Sequence, residues 1–153
     1  MSRLVALDPG RSKCGLILVD GDRQSVIEGH VLATETVLKT LQKWRQIAPI
    51  ERLVLGNGTA SESLRRQLPG DLPVKLVDER GTTLRARKRY WQLWPPRGWR
   101  RLVPEGLLVP PSELDAVAAL VILESELGHD LLWPGPAPLR SGPGPVSYTH
   151  LTL

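Results

Sequence analysis

Three acidic side chains stand where elements of this 153-residue chain should begin or end: Asp8, after the apolar run Leu4–Leu7; Glu79, after the apolar stretch from Val74; and Asp115, at the start of a helical pattern. In an open α/β sheet the C-terminal ends of parallel strands border the ligand crevice, so acids from two strands and one packed helix can converge there. Such a cluster suits a hard cation, Mg²⁺ or Mn²⁺, which takes oxygen ligands and keeps room for waters and phosphate oxygens. Two such ions about 3.5–4 Å apart stabilise the attacking and leaving oxygens of an in-line displacement at phosphorus. The chemistry indicated is hydrolysis of a phosphodiester. Taken singly, each acid also has an ordinary structural role. Asp8 can start an Asp-Pro-Gly turn, Glu79 can be a solvated loop acid, and Asp115 can complement the dipole of its helix, a task Glu113 could share. Asp78 is the alternative to Glu79, because strand alternation does not settle which of two consecutive acids at a strand end faces the crevice.

The elements that must position these acids follow from hydrophobic period and turn chemistry. Arg3–Asp8 reads as a buried central strand, Gly15–Asp20 as a second strand, Gly21-Asp22 as a hairpin turn and Ser25–Leu32 as a third strand. Thr34 opens a helix with Val37, Leu38, Leu41, Trp44 and Ile47 on one face, ended by Pro49. A short strand at Glu51–Gly56, a helix at about Ala60–Gln67 and a strand at Val74–Asp78 come next. Thr82 or Thr83 then caps a helix to about Leu93. After a Pro/Gly/Trp loop (Trp94–Pro111), Ser112 caps a last helix whose inward face is Leu114, Val117, Ala118, Val121 and Ile122, ending near Gly128. The order βββαβαβ followed by helices predicts an α/β fold: a mixed five-stranded sheet, three antiparallel strands and then parallel ones, flanked by helices.

Length and composition agree with one compact domain, expected over residues 1–130. Residues 131–144 are too rich in Pro and Gly for a packed element and are expected to be a disordered tail. Pro145–Leu153 resemble translated adapter sequence from library preparation and are set aside, which implies that the natural C-terminus is missing or replaced. No apolar run reaches a bilayer-spanning length, and Met1-Ser-Arg3 leading straight into a strand lacks a signal-peptide layout. A cytoplasmic protein without membrane contact is expected. The single Cys14 excludes an internal disulfide or a cysteine-based zinc site.

The net charge of +4 hides strong segregation. Eight basic residues and no acid lie between Arg80 and Pro104, while Leu102–Leu139 holds no Lys or Arg. The basic segment interleaves Arg85, Arg87, Lys88, Arg89, Arg97, Arg100 and Arg101 with Trp91, Trp94 and Trp99, a pattern suited to phosphate pairing and base stacking. Trp91 and Trp94 can equally anchor the helix and its loop to the core, with Arg stems covering them; Trp99 is the better stacking candidate. Lys13 and Arg80 join the candidate nucleic-acid contacts through their nearness to Asp8 and Glu79. Gly56-Asn-Gly58-Thr59 is a weak phosphate-loop signal, and Cys14 and His30 have structural readings.

Leu4-Val-Ala-Leu-Asp8-Pro-Gly-Arg-Ser-Lys-Cys-Gly15, Val77-Asp78-Glu79-Arg80-Gly-Thr82-Thr83 and Leu114-Asp115-Ala-Val-Ala-Ala-Leu together resemble the YqgF/RuvX family of the RNase H-like superfamily, over about residues 3–126. The Asp-Pro-Gly opening is also similar to that of the RuvC Holliday junction resolvases. The resemblance implies an RNase H-like fold and Asp8, Glu79 and Asp115 as catalytic, metal-binding acids. It further implies a nuclease that trims the 5′ end of precursor 16S ribosomal RNA or resolves branched DNA, as a monomer or a homodimer. A nucleic-acid-binding module with weak catalysis on the same fold is the other reading. The chain departs from the family pattern at Ser12-Lys13-Cys14, where Lys-Arg-Ile is usual, and in a longer, more basic Trp-rich insertion at 91–101. It also has Ala118 near where the resolvases carry a further Asp.

Overall fold

The computed structural model describes residues 2–58, 60–78, 81–104, 107–108 and 114–137. Glu79, Arg80 and Ser112, along with the chain after Ala137, lie outside the described residues. The elements are β1 (Arg3–Pro9), β2 (Lys13–Asp20), β3 (Ser25–Ala33), α1 (Thr34–Ile47), β4 (Arg52–Gly56), α2 (Ser61–Gln67), β5 (Val74–Val77), α3 (Thr82–Leu93), a 3-10 turn at Gly98–Leu102, and α4 (Asp115–Leu127). The strands form one sheet in the order β3-β2-β1-β4-β5. The pairs β1–β2 and β2–β3 are antiparallel, and β1–β4 and β4–β5 are parallel. This is the mixed five-stranded RNase H-like sheet that the strand pattern and the resemblance predict.

The pleat sorts the strand residues between two cores. Val5, Leu7, Leu16, Leu18, Leu53 and Leu55 pack with Val37, Leu41 and Trp44 of α1 and Leu64 of α2. Their alternates Leu4, Ala6, Ile17, Val19 and Val54 pack with Ala116, Ala119, Leu120, Ile122 and Leu123 of α4. α4 has a second buried side as well, where Val117, Ala118 and Val121 meet Ala86, Tyr90 and Trp91 of α3. All nine residues from Ala116 to Glu124 are buried, as expected of a helix sandwiched between a sheet and another helix.

Several expectations are corrected. The proposed inward face of the last helix mixes the two sides of α4: Val117, Ala118 and Val121 face α3, and Ile122 faces the sheet. Ile47 is 71% exposed at the end of α1, although its spacing matches the buried face. The hairpin turn is longer than Gly21-Asp22, running to Gln24 at φ 54. It is held by the buried Asp20, whose Oδ1 accepts the N–H groups of Asp22 and Arg23 at 3.0 and 3.2 Å. Thr82 is the first residue of α3 and is buried, while Gly81, at φ 69, occupies the cap position without a side-chain cap.

Leu131–Ala137, expected within the tail, packs against the domain. Leu131 is buried, and Leu132 bridges to Ser25, its carbonyl accepting the Val26 N–H at 2.7 Å. Trp133 sits over Gly29, where an added Cβ would come within 2.4 Å of the indole. Proline rules out a ladder partner at its own position but not apolar side chains between the prolines. Here those side chains cover the β3 edge, which would otherwise offer open hydrogen-bonding groups.

Candidate active site and nucleic-acid interface

Asp8 and Asp115 line one pocket of about 250 Å³, together with Thr82, Thr83 and Ala86 of α3, Leu114, and Ala118 of α4. Three local features bring the two acids together. The pleat of β1 puts Asp8 in phase with Leu4 and Ala6, hence on the α4 side of the sheet. Gly15 stands opposite Asp8 in the β1–β2 register. A Cβ on Gly15 would lie 1.8 Å from the Asp115 carbonyl oxygen and 2.8 Å from the Ala116 nitrogen, so the missing side chain lets the first turn of α4 rest on the strand beside Asp8. The buried body of α4 then fixes where that first turn lies.

The chemistry available there is that of hard oxygen donors: two carboxylates and the hydroxyls of Thr82 and Thr83. This donor set fits a magnesium-like cation and not a thiolate- or imidazole-seeking one. Among the described residues no three His, Cys, Asp or Glu side chains converge as a metal cluster. Glu79, the expected third acid, lies outside the described residues. Asp78, its alternative, is exposed beyond the end of β5 and is not among the residues lining the pocket. Sequence reasoning missed Gly15 and placed Thr82 or Thr83 as a cap. A glycine interrupting an apolar strand is the usual mark of a close backbone approach, and was the available signal.

The basic candidates divide. Lys13, Arg85, Lys88, Arg97, Arg100 and Arg101 are exposed, Arg87 is half-buried, and Arg80 lies outside the described residues. Arg89 is half-buried and engaged within the fold: its Nε and Nη2 donate to Glu124 at 3.0 and 2.8 Å, and Nη2 also donates to the Leu131 carbonyl at 2.9 Å. Glu124 in turn accepts the Leu131 N–H at 2.7 Å, so this guanidinium ties α3, α4 and the C-terminal segment together. Trp91 is buried, and Trp94 is half-buried between Tyr90 and Trp133, its indole N–H donating to the Gly135 carbonyl at 3.3 Å. Trp99 is 72% exposed on the 3-10 turn, with the Arg100 guanidinium 6.0 Å from its ring centre.

The weaker signals resolve structurally. Cys14 is buried, its Sγ 3.8 Å from the Thr34 hydroxyl. His30 shares a 3.0 Å hydrogen bond with Glu28, which holds that carboxyl below its ordinary range. After Gly58, the Ser61 hydroxyl donates to the Gly58 carbonyl at 2.8 Å, as in an ordinary tight connection. No helix among the described residues is long and apolar enough to cross a membrane.

Fold and pocket together define an RNase H-like α/β protein with an acidic site at the end of its central strand. No protein-family model matches the chain. A relative from Bacteroides thetaiotaomicron is 33% identical over 104 residues, 58% of this chain and 74% of that protein. One from Bacteroides fragilis is 29% identical over 147 residues, 83% and 96% of the two chains. Both carry the name "Putative pre-16S rRNA nuclease", as does a Porphyromonas gingivalis relative that is 29% identical over 145 residues, 84% of this chain and 98% of that protein. The chain belongs to this family, that of the YqgF/RuvX proteins. Among solved structures, Thermus thermophilus RuvC in complex with Holliday junction substrate aligns with 86% of this chain and 99% of its own at 14% identity and a TM-score of 0.46.

Proposed function

We propose that the chain is a divalent-metal-dependent endonuclease that hydrolyses phosphodiester bonds of structured RNA, with 5′-end processing of precursor 16S rRNA as its task. The observation that carries this reading is the shared pocket of Asp8 and Asp115, brought together by the close approach at Gly15. Membership of a family whose relatives are named for pre-16S rRNA supports the substrate.

Asp8, Asp115 and Glu79 would hold Mg²⁺ or Mn²⁺. Val77 packs on the α4 side of β5, and the family resemblance gives the third place to Glu79, with Asp78 as the alternative. When bound, the cations supply Lewis-acid stabilisation of the leaving oxygen and a nucleophile at neutral pH. The chain's own groups do the rest. Carboxylates on a strand end and a helix start, both anchored in core, keep the donor geometry fixed before substrate arrives. Thr82 and Thr83 offer hydroxyls to phosphate oxygens. Arg85, Arg97, Arg100 and Arg101 supply the positive charge that lets a polyanion approach an acidic pocket, and Trp99 offers a face to unpaired bases.

The test is cleavage of precursor 16S rRNA, with a four-way DNA junction as comparator, by wild-type protein and Asp8→Asn, with Mg²⁺ and with chelator. Cleavage of the RNA that needs Mg²⁺ and disappears in Asp8→Asn is expected. Activity that survives the substitution would overturn the mechanism, and a preference for the junction would overturn the substrate.

A further inference from the structure

A second pocket, separate from that of Asp8 and Asp115, lies between the C-terminal half of α3 and the loop that follows it. It encloses about 480 Å³, within the roughly 300–1,000 Å³ of small-molecule sites. Trp91, Val103 and Leu108 give it an apolar wall, and Lys88, Arg101 and Gln92 give it polar groups. No carboxylate is among its described lining residues, and the two cations Lys88 and Arg101 give it a preference for an anion. Lys88 and Arg101 are exposed, whereas Trp91 and Leu108 are each only 8% exposed, so the charges sit outward of a dry wall. The Trp91 indole nitrogen is buried with no hydrogen-bond partner among the described residues.

We propose that this pocket takes one unpaired nucleotide, its phosphate between Lys88 and Arg101 and its base against Trp91 and Leu108. The ligand class follows from the lining: two cations select a phosphate, and a buried aromatic and aliphatic wall selects a flat, weakly polar group attached to it. Neither half alone would need both features. The proposal rests on the reading of the chain as a nucleic-acid enzyme and adds to it that the substrate has a single-stranded stretch beside its paired region. The pocket lies toward the C-terminal end of α3. Ala86 lines the acidic pocket and Trp91 the basic one, and five residues of helix separate them by roughly 7.5 Å along the axis. The nucleotide held here is therefore distinct from the one being cut.

The experiment is equilibrium binding at fixed salt, without divalent metal, of three probes: a blunt RNA duplex, the same duplex with a short single-stranded overhang, and a nucleoside 5′-monophosphate. The proteins are wild type, Lys88→Ala, Arg101→Ala and the pocket-filling Val103→Trp, with thermal melts to check folding. Wild type should bind the overhang duplex at least tenfold tighter than the blunt one. Val103→Trp should lose that preference while keeping blunt-duplex affinity. Lys88→Ala, at an exposed position where folding is not at issue, should lower it several-fold. Saturable binding of the monophosphate that Val103→Trp abolishes, without any overhang preference, would assign the pocket to a free nucleotide. Equal affinity for both duplexes with no monophosphate binding would overturn the proposal, as would a preference unchanged in both Lys88→Ala and folded Val103→Trp. If wild type shows the preference but cuts nothing with Mg²⁺, the pocket assignment stands and the nuclease reading falls.

Discussion

Replacing Gly15 with alanine tests whether close packing builds the acidic site. The new Cβ would meet the Asp115 carbonyl oxygen at 1.8 Å, and ordinary contact begins near 3.4 Å, so the first turn of α4 must retreat by about 1.6 Å or β2 must yield by as much. The obstacle is backbone on both sides, so no side chain can swing away. β2 is buried in the middle of the sheet, paired with β1 and β3, and the body of α4 is wedged between sheet and α3. Overpacking of this kind costs roughly 1–3 kcal/mol, a fall in Tm of about 3–10 °C for a domain of this size. A misplacement of about 1 Å at a catalytic group can cost about 10²-fold in rate. The expected outcome for Gly15→Ala is a folded, moderately destabilised protein with cleavage reduced about 100-fold and blunt-duplex binding unchanged. Gly70→Ala, where a Cβ would meet nothing within 4 Å, is the control and should match wild type in both measurements. A Gly15→Ala protein with wild-type cleavage and Tm would refute the claim that this approach sets the spacing of Asp8 and Asp115. Lost stability with intact cleavage would show that the position of Asp115 does not limit the reaction.

Three further perturbations address the frame of the fold. Glu124→Gln leaves the Arg89 guanidinium in a place where both side chains are largely shielded, at 14% and 8% exposure, so about 3 kcal/mol of stability should be lost in a denaturant titration. Glu62→Gln, which breaks only the exposed Arg66–Glu62 pair, should cost less than about 0.5 kcal/mol in the same assay. Glu28, whose carboxyl is held below its ordinary value of 4.5 first by the His30 hydrogen bond, favours folding in its charged form. Its contribution is complete above about pH 4.5 and is lost as the pH falls through the lowered value. Thermal melts of wild type and Glu28→Gln should therefore differ at pH 6 and converge on acidification; a difference that grows toward low pH would reverse the assigned sign.

Much of this architecture is legible in the sequence because the pleat and the helix repeat leave different marks. Leu4, Ala6 and Asp8 share a strand phase, so the side of the sheet that receives the first acid follows from position alone. α4 is harder. A helix buried all round has no polar stripe to mark its orientation, and the choice of Leu114, Val117, Ala118, Val121 and Ile122 as one inward face blended two real ones. Arg89 looked like its basic neighbours because its partner, Glu124, is 35 residues away and known only from the packing of α3 on α4. Leu131 and Trp133 were lost among prolines and glycines whose composition suggests disorder, although two well-placed apolar side chains suffice to dock such a segment on an open sheet edge.

The site and the core are coupled through α4. Asp115 stands in its first turn, Ala118 both lines the acidic pocket and packs against α3, and Glu124 closes the ion pair near its other end. A helix held on two faces has no inexpensive sliding motion, because any shift that opens space on the sheet side compresses Ala86 and Tyr90 on the other. Hydrophobic packing around α4 therefore contributes to fixing where the carboxylate of Asp115 stands. The small residues carry this arrangement: Gly15 below Asp115 and Ala86 and Ala118 between the helices allow close approach on both sides. Where RuvC resolvases are expected to carry a further acid near the last one, Ala118 instead completes this packing. On the proposed reading the exposed cations and Trp99, outside the rigid pocket, would orient the substrate, and substrate choice could change in that loop without moving the carboxylates.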